Sequence, residues 1–89
     1  MPAQRPSPIT IELGPSFGAS DAAALRERLA RAAPGTAVEI RFHHVREWEA
    51  SALAVLAREL AERGADVEVH GLSQRQLRVL HYLGVDARG

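Results

Sequence analysis

The residues able to do chemistry in this chain are few: His43, His44, His70 and His81, with Ser51 and Ser73 as the best-placed hydroxyls. His43 and His44 are adjacent and His70 closes a later strand pattern. The C-terminal edge of two neighbouring parallel strands can therefore gather three imidazoles, at the place where open α/β sheets bind ligands. Neighbours on a strand point to opposite faces, however, so His43 and His44 are poorly placed to chelate one ion, and no carboxylate sits at a diagnostic metal spacing. His81 falls within the last helical pattern, beside its leucine stripe, and reads as a surface or boundary histidine. A serine and a histidine would make a nucleophile and base, yet no orienting acid is implied by spacing. The chain carries no Gly-rich phosphate loop, no G-x-S-x-G and no H-E-x-x-H. With no cysteine, thiol catalysis, thiolate metal sites and disulfides are excluded. The expectation is a protein that is not an enzyme and has no metal and no cofactor.

Ser51 stands apart because of its position. In "EWEASALAVL" it lies where an acidic stretch gives way to helical spacing, so its hydroxyl is suited to cap the helix. A helix N-terminus also presents unpaired amides and the positive end of the dipole. A phosphate placed there is stabilised locally, while its added negative charge of roughly 1.5 to 2 changes the surface a partner meets. Trp48, the single tryptophan, is either a boundary anchor under the loop or a partner-facing aromatic.

The elements that must position these groups can be read from periodicity. Ile9, Ile11 and Leu13 alternate with Thr10 and Glu12, as in a strand with one buried face, and "GPSFG" breaks it. Ser20 is placed to cap a helix with Asp21 in its first turn and Ala22, Leu25, Leu29 and Ala32 or Ala33 as its stripe, stopped by Pro34 and Gly35. "AVEIRF" predicts a second strand with Val38, Ile40 and Phe42 inward. Residues 51–63 predict a helix buried through Leu53, Leu56 and Leu60 and ended by Gly64. "DVEVH" predicts a third strand with Val67 and Val69 inward. Ser73 and Gln76 form a capping box, with Leu72 and Leu77 as a staple; Leu77, Leu80 and Leu83 form the buried stripe, and Gly84 and Val85 a Schellman ending.

The order β-α-β-α-β-α implies parallel strands joined by right-handed crossovers, hence an α/β fold with a small mixed sheet. Thr10, Glu12, Glu39, Arg41, Glu68 and His70 form the opposite strand faces, so the helices should cover mainly one side. That polar face is either solvated or a contact surface.

At 89 residues there is room for one domain. Pro2, Pro6 and Pro8 predict an extended N-terminal arm over residues 1–8, with the domain over 9–89. Eleven basic residues balance eleven acidic ones, which disfavours nucleic acid and anionic membranes as partners. "MPAQRPSP" lacks the apolar run of a secretory signal, and no stretch approaches the roughly 18 apolar residues of a membrane span. A soluble, cytoplasmic protein is expected.

With these elements in place, the stretch "VEIRFHHVREWEASALAVLARELAERGADVEVHGLSQRQLRVLHYLGVD" resembles the STAS domain of bacterial anti-sigma-factor antagonists, over about residues 9 to 86. "PSFGASDAAAL" is similar to that family's first strand-to-helix turn. The resemblance implies that Ser51 is the phosphoacceptor of a cognate anti-sigma kinase, the unphosphorylated domain binding the kinase and freeing the sigma factor. It implies a partner-binding patch of Phe17, Gly18, His43, His44, Trp48, Glu49, Ala50, Ala52 and Leu53 around that serine. The family's acid-Ser-Ser-Gly run reads "EASA" here, and acids usual in two other places are Gly18 and Arg41. These departures favour the alternative of a STAS subunit that docks on a transporter or other assembly without phosphorylation. Too few residues precede Ile9 for a full additional strand, so the arm substitutes for it or leaves that edge open. Weak homodimerisation is a further expectation.

Overall fold

The computed structural model describes residues 8–86. Of the expected N-terminal arm, only Pro8 lies within them. The chain forms β1 (Ile9–Glu12), β2 (Ser16–Phe17), α1 (Ala19–Arg31), β3 (Val38–Arg41), β4 (Glu47–Trp48), α2 (Ala50–Arg63), a 3₁₀ turn (Gly64–Asp66), β5 (Val67–His70) and α3 (Gln74–Tyr82). This is the expected α/β order, with two short strands added.

The main sheet has the order β1-β3-β5, and every strand pair among the described residues is parallel. The register aligns Ile11, Ile40 and Val69 across it, so the alternating apolar residues of all three strands share one face. Ile11, Val38, Ile40, Phe42, Val67 and Val69 are buried there with Ala22, Leu25 and Leu29 of α1, Leu53 and Leu56 of α2 and Leu80 of α3. The opposite face carries Thr10-Glu39-Glu68 and Glu12-Arg41-His70 as aligned rows. All six are exposed or half-buried, so the helices lie on one side of the sheet.

β2 and β4 are the elements that periodicity did not reveal. They pair in register Ser16↔Glu47 and Phe17↔Trp48, and the Pro15 carbonyl accepts from the Arg46 and Glu47 amides at 2.8 and 3.0 Å. Two residues are too few to show a period. Their effect is on packing: Phe17 is carried into the core, edge-on to Phe42 with ring centroids 5.1 Å apart.

Helix ends follow the sequence in part. In α1 the N-cap is Gly18, not Ser20, which falls inside the first turn. Asp21 takes over the capping role, its Oδ2 accepting from the Gly18 N–H at 3.0 Å. Pro34 and Gly35 form the middle of a turn closed by the Thr36 N–H to the Ala33 carbonyl at 3.0 Å, with φ of +80° at Gly35; proline then glycine in these places is the type II pattern. In α3 the capping box is complete: the Gln76 N–H donates to Ser73 Oγ at 3.2 Å and the Ser73 N–H to Gln76 Oε1 at 2.7 Å. The Schellman ending is present, with Val85 N–H to the Leu80 carbonyl at 2.9 Å and Gly84 N–H to that of His81 at 3.0 Å.

The leucine stripe of α3 needs correction. Leu80 is buried, Leu77 half-buried and Leu83 is 43% exposed. Residues three apart are separated by roughly 300° of helical turn, so each step slides the stripe about 60° around the helix. Leu83, at the C-cap, has left the buried face, and Val85 packs on the core beyond it.

Candidate functional site

The surface around the start of α2 is built by the β2/β4 ribbon. The Glu49 N–H donates to the Phe17 carbonyl at 3.1 Å, which holds Glu49 in extended backbone with φ −110° and ψ 142°. That residue, and not Ser51, is therefore the N-cap, and its carbonyl accepts from Ala52 and Leu53 at 3.1 and 3.2 Å. The helix starts one residue earlier than Ser51 because the ribbon fixes where extended backbone must end. Ser51 becomes the second residue of the first turn, exposed, and its hydroxyl makes no hydrogen bond among the described residues.

The Glu49 carboxylate serves the other helix. Its Oε2 accepts from the Ala19 N–H at 3.2 Å, while Asp21 accepts from Gly18. Two carboxylates thus satisfy the first amides of α1. The first turn of α2 contains no acidic residue and has no side-chain cap. The first-turn amides beside Ser51 therefore have no side-chain acceptor among the described residues.

The expected patch divides by depth. Gly18, His43, His44, Trp48, Glu49, Ala50 and Ser51 are exposed or half-buried. Phe17, Ala52 and Leu53 have no accessible surface and are corrected from contact residues to the packing beneath them. The helical pair lies on the buried face of α2, one turn before Leu56 and Ala57.

The histidines are dispersed. His43 and His44 lie in a turn after β3, not on the strand. His44 Nε2 is 3.3 Å from Glu12 Oε1, while His70 Nε2 lies 3.3 Å from Glu68 and 3.8 Å from Glu39. His43 instead packs on Gly71, where a Cβ would come within 2.8 Å of the ring and 2.9 Å of the His43 amide nitrogen. Among the described residues no three His, Asp or Glu groups are placed to hold a metal ion, and no helix is long and apolar enough to cross a membrane.

One part of this surface carried no clear sequence signal. Tyr82, 92% exposed, and Leu83 line a shallow groove of about 400 Å³ with Val79, Arg78 and Ala50, next to the start of α2. The departure of Leu83 from the 3.6-residue period was the available hint.

A small parallel sheet backed on one side by three helices, with an exposed serine at the start of the second helix, is a recognisable class of binding domain. The family model described as "Mlab, STAS domain" matches residues 1–87, and the chain belongs to the STAS domain family. Domains of this family are generally non-enzymatic binding domains. No curated protein and no solved structure gave a match.

Proposed function

We propose that the protein is a cytoplasmic anti-sigma-factor antagonist, a protein-binding regulator whose partner is an anti-sigma serine kinase and whose switch is phosphorylation of Ser51. The observation that carries this reading is the idle hydroxyl of Ser51. It is exposed at a helix N-terminus and has been relieved of capping by Glu49. A phosphoryl group there would lie near the free amides of the first turn, which favour it. Glu47 and Glu49 stand close in sequence, so a partner that tolerates those carboxylates would meet two further negative charges and the cost of desolvating them. The complex would then dissociate.

The test is incubation of the protein with ATP and the serine kinases encoded near its gene, followed by mass spectrometry. Phosphate on Ser51, lost in Ser51→Ala, together with release of the kinase by Ser51→Asp, supports the reading. Absence of labelling by every such kinase, with complexes indifferent to Ser51→Asp, overturns it.

A second reading has its own observation. The apolar groove of Ala50, Val79, Tyr82 and Leu83 adjoins the same helix end, and a STAS subunit docked on a larger assembly would bury it without any phosphorylation. In that case Tyr82→Ser would abolish assembly while Ser51→Asp had a smaller effect.

A further inference from the structure

β5 is the last strand of the main sheet, and among the described residues no strand pairs with its outer edge. The Phe42 N–H donates to the His70 carbonyl at 2.8 Å. Alternate residues of a strand turn their backbone groups to opposite sides. Glu68 and His70 therefore face β3, and Val69 directs its N–H and C=O away from the sheet. On the helix side this edge borders a groove of about 530 Å³ of mixed lining, with Leu60, Val67, Val69 and Val85 beside Asp86. On the polar side it carries Glu68 and His70. An edge with free backbone groups and a partly apolar groove along one side is a template for another strand.

The geometry points to a second copy of this chain as that strand, with two β5 strands pairing antiparallel about a two-fold axis at Val69. In this register the Val69 N–H and C=O exchange two hydrogen bonds with the partner's Val69. Glu68 then stands opposite the partner's His70, and His70 opposite the partner's Glu68. Both crossings are non-hydrogen-bonded sites, where facing Cα atoms lie about 4.5 Å apart and side chains interact most closely. A carboxylate thus meets an imidazole twice, and one surface complements itself, as a two-fold interface requires. Sliding the strands by two residues would set Glu68 against the partner's Glu68, or His70 against the partner's His70, so the pairing of carboxylate with imidazole selects the register. The formal net charge of zero removes long-range repulsion between copies. The interface uses the C-terminal end of α2. Ser51 lies twelve residues before Arg63 at that end, about 18 Å away along the helix, so the dimer leaves the Ser51 surface free and stands apart from the regulatory reading.

Sedimentation analysis from micromolar to millimolar protein tests the pairing. The wild-type chain should show a reversible monomer–dimer equilibrium. E68K and H70E, both on the exposed strand face, should each weaken association by about tenfold, H70E by setting carboxylates opposite each other and E68K by removing the carboxylate that accepts from the facing imidazole. An equimolar mixture of E68K and H70E should associate about as well as wild type. In that heterodimer the introduced lysine faces the introduced glutamate at one crossing, and the native pair is kept at the other. Circular dichroism verifies that both variants are folded, and hydrogen exchange at the Val69 amide should slow as concentration rises. A wild-type chain that stays monomeric throughout overturns the proposal. So do variants that associate as wild type does, a mixture that fails to recover, or a Val69 amide whose exchange is independent of concentration.

Discussion

Ser51 and Glu49 exchange the roles that their residue types suggest. Serine is the commoner cap, yet the backbone of Glu49, pinned by Phe17, ends the extended segment and begins α2. Two outcomes follow for stability. Ser51→Ala should leave the unfolding free energy within about 0.5 kcal/mol of wild type, since it removes an exposed hydroxyl with no bond to lose. Glu49→Ala should cost about 0.5–1 kcal/mol, the net worth of one exposed hydrogen bond, here the one from the Ala19 amide at the start of α1. Urea denaturation of the two variants beside wild type measures both. A larger loss in Ser51→Ala than in Glu49→Ala would return the capping role to the serine. The position of Ser51 at a helix start was legible from "EWEASALAVL". Its freedom from capping was not, because that depends on a carbonyl at Phe17, far away in the chain.

At the scale of elements, the strands and helices with several periods were read correctly, and what failed was either too short or held by distant partners. β1, β3, β5 and the helices α1, α2 and α3 each show their alternation or stripe, with Leu83 the exception in α3. β2 and β4 have two residues apiece and exist only because they pair with each other. Glu59 was equally silent: it is 5% exposed, yet joins Arg63 at 3.0 Å and Arg26 of α1 at 3.7 Å. Only its spacing of four residues from Arg63 hinted at a role. Glu59→Ala should destabilise by about 1–2 kcal/mol in chemical denaturation, because two arginines lose a charged acceptor. The turn between β5 and α3 provides a sharper test. Gly71 has φ of +80° and lies against the His43 backbone, so Gly71→Ala combines a strained conformation with a clash. A loss of about 2 kcal/mol or more is expected, or roughly 8–16 °C in Tm for a domain of this size. Gly14→Ala, where an added Cβ meets nothing within 4 Å, is the control and should change little.

For the whole molecule, the groups that hold the fold and those left in solvent lie on different faces of the same helices. The core under the helices holds the fold together, so Leu80→Ala, at a position with no accessible surface, should cost about 2–5 kcal/mol. Tyr82→Ser, two residues along the same helix, should leave thermal unfolding nearly unchanged, since that ring is in solvent. Scanning calorimetry on this pair checks the division. The parallel pairing described above also has a consequence in time. Among the described residues no two neighbouring strands are joined by a hairpin; each joins its neighbour in the main sheet only after a helix-containing crossover. Such non-local pairing slows folding relative to a helical bundle of equal length. Spatial order in the main sheet follows chain order, β1 beside β3 and β3 beside β5, so a sheet assembled in the order of the chain grows outward from β1. Each arriving strand occupies the border left open by the one before it.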